Sequence, residues 1–349
     1  MNIKLHTLLS VGMTGLLLLP LAASAGTAVQ GDLYYTRFSG PDRVEKVTFN
    51  YDGTTTLTIS PRTVIATDAA PPVGSPGADG IVGNPKNTGG LLVGGQGSAI
   101  YGVNKDGSGT TGFASPVAAF HLSVPTVNTL LASAIPGGLA RFAINAGGSL
   151  GAGTTISLSG STSVVTTVID TPSNGFFYTN AGSGGTGDFG TLTFNTGNVE
   201  TAISAITTSF LSSVPAAHGG VYDPFSNNIL LFGSNHITQF SLGFVQLADI
   251  VLTGQFDQGT VDGLGHVYVA NNTTGNLTFI DYSTATGGLI DGAGNFVDST
   301  HHLGADLDDV APLIGAGTTT TVPEPGSLAL LMTGLMAVGF SRRQKRSSM

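Results

Sequence analysis

The chain reads as all-β, built from many short strands joined by tight turns, and three observations lead there. Glycine makes up 52 of 349 residues, the charged fraction is 9% and the hydrophobic fraction 41%. That composition is too apolar for disorder and too rich in turn-formers for long helices. The strongest apolar runs are short: LLVGG at Leu91, FFYTN at Phe176, ILLFG at Ile229 and VYVAN at Val267. They lack apolar–polar alternation, so both faces of each strand are expected to be buried. Finally, one unit recurs: an apolar stretch, a turn, an intensely apolar strand, a small-residue turn and a returning strand.

In chain order, the first copy is GDLYYTRFSGPDRVEKVTF from Gly31, which lacks the opening strand of the others. Looser copies begin at Asp79 (DGIVGNPKNTGGLLVGGQGSAIYGV), Phe120 (FHLSVPTVNTLLASAIPGGLARFAI) and Val164 (VVTTVIDTPSNGFFYTNAGSGGTGDFGTLTF). The clearest pair is HGGVYDPFSNNILLFGSNHITQFSL from His218 and QGTVDGLGHVYVANNTTGNLTFIDY from Gln258, in which Asp223 aligns with Asp262. Central strands are expected near Leu33, Leu91, Leu130, Phe176, Ile229 and Val267, about 47 residues apart, the length of a four-stranded propeller blade. Blades stacked face to face bury both strand faces, whereas a sandwich leaves one face of each sheet polar. A β-propeller is therefore expected, with six blades favoured, seven next, and a sandwich or solenoid behind. The segment ADLDDVAPLIG, Ala305–Gly315, resembles the missing opening strand. Pairing Asp308–Leu313 with the strand beginning at Leu33 would close the ring and cover its edges. The copies are similar to NHL-type and streptogramin-lyase-like propeller repeats.

Both termini carry addresses. Lys4, the apolar run Leu8–Leu19 and Ala23-Ser24-Ala25 make a secretory signal peptide, residues 1–25, with cleavage between Ala25 and Gly26 by signal peptidase. At the other end Pro323, Glu324 and Pro325 precede an apolar span, followed at once by Arg342, Arg343, Lys345 and Arg346. A helix over Gly326–Ser341 would cover roughly 24 Å of a ~30 Å hydrocarbon core. The basic cluster favours the cytoplasmic side, which leaves Pro-Glu-Pro at the outer boundary, held extended by its prolines. In this order the features resemble the PEP-CTERM sorting signal. That resemblance implies processing by an exosortase in a Gram-negative bacterium that makes extracellular polysaccharide, with transient membrane anchoring through a single C-terminal transmembrane helix. The organisation expected is thus residues 1–25 signal peptide, 26–318 propeller and 319–349 sorting signal.

Between the two signals stand seven of the 12 basic residues and 20 of the 21 acidic ones, with no Lys or Arg from Arg141 to Arg342. Such a body repels phosphate backbones, which excludes nucleic acid as a partner. Cysteine is absent, so thiol catalysis, iron–sulfur clusters and cysteine zinc sites are excluded. Gly185-Thr-Gly187-Asp-Phe-Gly190 fits a dinucleotide fingerprint and Gly147-Gly-Ser149-Leu-Gly151 a nucleophile elbow, but each leads into a strand where its chemistry needs a helix. Asn104-Lys-Asp106-Gly-Ser108 has the alternating oxygens of a calcium loop and lacks its closing glutamate, and a hairpin turn explains it equally well.

The densest ligand-like cluster is Asp298, His301, His302, Asp306, Asp308 and Asp309. Carboxylates and imidazoles so close would suit Ca2+ or a transition metal. Alternation along a strand argues against it, since Asp308 and Asp309 should point to opposite faces. No catalytic residue, metal or other cofactor is therefore expected, with Ca2+ the one ion left open. The expected role is non-enzymatic: a binding or structural protein at the cell surface or in the extracellular matrix, where the signal's resemblance implies association with polysaccharide in a biofilm. A metal-dependent propeller lyase or lactonase is the alternative, and a carbohydrate-binding module comes third. Sugars usually stack on aromatic rings, and here tryptophan is absent and aromatics are 7%.

Overall fold

The computed structural model describes residues 26–67, 77–133, 138–172, 175–180, 186–215 and 217–318. The signal peptide, Pro323-Glu324-Pro325, the apolar span and the basic tail lie outside the described residues. Among those described, no helix is long and apolar enough to cross a membrane.

The first sheet holds β1 (Val29–Arg37), β2 (Asp42–Tyr51), β3 (Leu57–Ile59) and β4 (Thr63–Thr67), the last two both pairing with β2. The second is a four-stranded meander of β5 (Ala78–Gly83), β6 (Gly90–Gly95), β7 (Ala99–Asn104) and β8 (Thr110–Ala114). Then come β9 (His121–Thr126), β10 (Thr129–Ser133), β11 (Leu139–Ala143) and β12 (Thr154–Gly160). They are followed by β13 (Thr167–Asp170), β14 (Phe176–Asn180), β15 (Thr186–Thr196) and β16 (Ala205–Pro215). Last are β17 (Gly219–Asp223), β18 (Asn228–Ser241), β19 (Gln246–Val261), β20 (His266–Asn271), β21 (Asn276–Asp281), β22 (Phe296–His302) and β23 (Leu307–Thr318). The closing strand pairs as expected: β23 runs antiparallel to β1, from Leu307 opposite Arg37 to Thr318 opposite Val29.

The sheets do not divide cleanly into six. Among the described residues four hydrogen-bonded sheets form, because two pairs of repeat units are fused. One fusion is a parallel pairing of outer strands, Ser157–Gly160 of β12 with Ala205–Thr208 of β16. In the other, β19 runs on from one unit into the next: its first half pairs with β18 and its second half, Phe256–Val261, with β20. Six strands nevertheless touch one another in a closed cycle, β23 to β5, β9, β13, β17, β19 and back to β23. This is a propeller-like ring.

Its core explains the missing alternation. Successive residues of one strand enter different apolar clusters. Leu91 packs with Val44 and Ile65 of the first sheet, while Leu92 packs with Leu130 and Phe142. Leu130 and Leu131, Phe176 and Phe177, and Leu230 and Leu231 divide the same way. Each of these central strands is sandwiched between two neighbouring repeat units, and β6, β10 and β20 are buried along their whole length. Burying such Leu, Val or Phe side chains contributes about 1.5–3 kcal/mol each.

Candidate metal centre on the ring axis

Five of the six inner strands carry an Asp or His at, or next to, the start of the segment that lines the ring. Asp79 is the second residue of β5, His121 opens β9, His218 precedes β17, Asp257 follows Phe256 at the start of the second half of β19, and Asp308 and Asp309 follow Leu307 in β23. Three of these positions are β-bulges. Between Tyr35 and Arg37 the register with β23 slips, so that Thr36 faces two residues, Asp308 and Asp309. Equal slips occur at Asp79-Gly80 on β5 and Asp257-Gln258 on β19. A bulge adds one residue to one strand and re-aims its side chains, which strict alternation forbids. Both Asp308 and Asp309 are thereby buried in the same axial cluster.

Local bonds hold the ring of ligands together. The Thr36 hydroxyl donates to the Asp79 carbonyl at 2.6 Å and accepts from the Asp309 amide at 3.0 Å, tying two bulges to β1. The sixth inner strand contributes no ligand; its Thr167 hydroxyl, with that of Thr179, donates to the His218 carbonyl at 3.0 and 2.7 Å. Glycine lets the backbones crowd the axis: a Cβ on Gly80 would stand 2.7 Å from the Phe120 carbonyl oxygen.

Two ligand sets result. His121, His218 and Asp257 form one; Asp79, His121 and Asp309 form the other. In each, one ligand atom per residue lies within 4.8 Å of the others, a span that one ion at about 2.0–2.6 Å from each ligand can bridge. His218 Nδ1 contacts Asp257 Oδ1 directly. His121 Nε2 lies 3.6 Å from Asp257 Oδ1 and its Nδ1 3.5 Å from Asp309 Oδ2. The two imidazoles meet edge to face, with centroids 4.9 Å apart. Asn272 Nδ2 donates to Asp257 Oδ2 at 2.7 Å and to Asp308 Oδ1 at 3.3 Å.

The electrostatics are unbalanced. Burial, then the charges of Asp308 and Asp309, push the Asp79 carboxyl well above the usual range. Burial followed by Asp257 does the same to Asp308 and Asp309. Burial also lowers His121, partly offset by Asp257. At Asp257 burial acts upward, but neighbouring His218, His121 and Asn272 outweigh it and hold the carboxyl at about 2. Among the described residues, neither ring nitrogen of His121 nor either carboxylate oxygen of Asp309 has a hydrogen-bond partner of good geometry. Buried polar groups are rarely left so, and buried charges are paired or ligate metal. The donor set of nitrogens and carboxylate oxygens fits a divalent cation.

A cavity of ≈ 480 Å³ opens over the cluster, lined by Asp79, His218, Asp257, Asn272 and Asp308 with Phe38 and Phe120 at its walls. His218 is 19% exposed there, while Asp257 is 2% exposed.

Of the sequence-predicted candidates, only Asp308 and its neighbour Asp309 belong to this centre. Asp306 sits on the cavity rim, held by Arg37 Nε at 2.7 Å and Ser39 Oγ at 3.2 Å. Asp298, His301 and His302 lie on β22, which pairs with β21. There His301 Nε2 is 3.3 Å from Asp298 Oδ2, and His302 Nδ1 is 3.0 Å from Asn276 Oδ1. Asp223 and Asp262, matched in the repeats, cap turns by accepting from the amides of Phe225 and Leu264 at 3.0 and 2.8 Å. His236 and His266 pair locally with Asp249 and Asp262. Asp79, His121, His218 and Asp257 were not among the predicted ligands. The signal for them was present: the repeat copies open on or beside an acid or histidine.

Likeness to solved structures is one of fold. A protein of unknown function from Bacteroides caccae superposes with a TM-score of 0.50 at 11% identity, covering 81% of this chain and 99% of its own. A calcium-binding protein, regucalcin, from Agrobacterium tumefaciens gives 0.48 at 13% identity, with 68% and 78% covered. A catalytically inactive virginiamycin B lyase from Staphylococcus aureus, with quinupristin, gives 0.47 at 11% identity, with 78% and 84% covered. No curated protein sequence matches the chain. Residues 321–344 match the PEP-CTERM protein-sorting motif, which implies export, processing by an exosortase and transient membrane anchoring in a Gram-negative bacterium.

Proposed function

We propose that this is an exported, exosortase-processed six-bladed propeller that acts as a non-enzymatic binding protein at the cell surface or in the extracellular matrix, with a divalent cation on its axis. The observation that carries the cation is the pair His121 and Asp309, buried and, among the described residues, lacking hydrogen-bond partners of good geometry. Charging the buried carboxyls of Asp79, Asp308 and Asp309 beside Asp257 is opposed by burial and by their like charges, and a dication offsets that cost. The closed cycle of six inner strands supports the blade count, the two fused sheets each counting as two blades. A cation beneath an open cavity keeps coordination positions for outside oxygens, such as the hydroxyls and carboxylates of an extracellular polysaccharide.

The test is metal content and mass of the exported protein purified from the producing cells. One divalent ion per chain is expected, with a mature chain that starts at Gly26 and lacks the span after Pro325. A folded protein that carries no divalent ion and takes none up would remove the axial reading. A mature species retaining Arg342–Arg346 would remove the processing reading.

A second reading has its own support. His218 and Asp257 both face the cavity, so a metal there would meet any molecule bound in it, as a lyase or lactonase requires. Turnover of a lactone or polysaccharide that stops on chelation would favour it.

A further inference from the structure

Granting the axial cation reading, on which it rests, we propose that the centre holds two overlapping subsites of different chemical preference. They compete for His121, so that only one ion binds at a time. The first set, His121, His218 and Asp257, has two imidazoles and one carboxylate and suits a nitrogen-preferring ion such as Zn2+. The second, Asp79, His121 and Asp309, has two carboxylates, with Asp308 adjoining, and suits an oxygen-preferring ion such as Mn2+.

The conflict lies in one ring. His121 turns Nε2 toward Asp257 and Nδ1 toward Asp309, at 3.6 and 3.5 Å. A neutral imidazole has a lone pair on only one nitrogen, and the other carries hydrogen. When Nε2 ligates an ion beside Asp257, Nδ1–H donates to Asp309, which becomes the outer partner that orients the ring. When Nδ1 ligates an ion beside Asp309, the roles reverse and Asp257 receives Nε2–H. Each subsite, once filled, uses a carboxylate of the other as its hydrogen-bond acceptor. The ring has no room to turn away, being 2% exposed and edge-on to His218. Asn272 reaches Asp257 and Asp308 together, so the carboxylates on both sides are held in place whichever ion is bound.

The experiment is equilibrium dialysis of the exported protein, stripped with a chelator, against Zn2+, Mn2+ and their mixture, with bound metal measured by mass spectrometry. One Zn2+ or one Mn2+ per chain is expected from the single solutions. From the mixture one ion in total is expected, with Zn2+ displacing Mn2+. His218→Ala and His218→Gln should weaken Zn2+ at least tenfold and leave Mn2+ nearly unchanged. Asp79→Asn should do the reverse, and His121→Ala should abolish both. Two ions bound together from the mixture would overturn the proposal, and that measurement needs no variant. Equal weakening of both ions by His218→Gln and Asp79→Asn would overturn it as well. If the folded protein binds neither ion alone, the axial cation reading itself fails, and a mixed result cannot be mistaken for that outcome.

Discussion

His301 and His121 approach a carboxylate at nearly equal distance, 3.3 Å from Asp298 and 3.5 Å from Asp309, yet they stand in different chemical settings. The side chains of the first pair are 26% and 15% exposed, on the strand that ends a sheet. Those of the second pair are 1% exposed, where inner strands from several units meet. Water screens the first pair, and its histidine and aspartate are three residues apart on one strand. The second pair is enclosed by protein, and its residues come from β9 and β23, which flank β5 in the ring. What makes a candidate metal centre here is convergence of strands on an axis and exclusion of water, rather than density of ligand-type residues along the chain.

The largest expected effect breaks that convergence. Truncating the chain before Ala305 removes β23, with it Asp308 and Asp309, its pairing with β1 and the buried Leu307, Val310 and Ala311. The outer pair Asp298–His301 is left in the chain. Cooperative thermal unfolding should disappear and aggregation should follow from the newly opened edge of β1. A truncated protein that melts cooperatively at an unchanged temperature would show that the ring does not depend on its closing strand.

A smaller effect separates the two histidines directly. If an ion binds on the axis, a concentration of 100 times its Kd raises stability by about 2.7 kcal/mol, several degrees in melting temperature. His121→Ala should erase that rise, and His301→Ala should preserve it. The reverse pattern, measured by calorimetry with and without added Zn2+, would move the centre to β22.

How much of this was legible follows from the same comparison. The central strands were readable because burial on both faces strips out alternation, and Leu91-Leu92 or Phe176-Phe177 announce it locally. The closing strand was readable because the first repeat lacked a partner and Ala305–Gly315 had none. Fusion of units through β12 and β16 was not, since parallel pairing of two outer strands leaves no periodic mark. The axial ligands were harder still. They are one or two residues at each of five separate strands, and the alternation rule that dismissed Asp308 with Asp309 fails at a bulge. Bulges at Asp79-Gly80 and Asp257-Gln258 depend on pairing partners far along the chain. The acids that the repeat alignment matches, Asp223 and Asp262, have similar sequence contexts because both cap the same kind of turn.

The smallest effect probes how far the dry region extends along the axis. One step further along the same inner strands lies a second cavity of ≈ 400 Å³, lined by Ile81, Ser123, Asp170, Tyr222 and Gln258 among others. Burial lifts the half-buried Asp170 carboxyl to about 6, against a weaker downward pull from the Thr171 amide. A folded-state value raised above the unfolded ~3.9 contributes stability that is fully present below that value and is lost as pH rises through about 6. Asp170→Asn removes the ionisation. The variant should therefore match the parent near pH 4 and exceed it at pH 8, by about 1 kcal/mol once partial solvent screening is allowed for. Melting temperatures of both proteins across that range, with chelator present, give the difference free of any axial ion. If the asparagine variant is the less stable one at pH 8, the charged carboxylate is favoured where it sits. The water-excluding region would then end at the layer of His121 and Asp309.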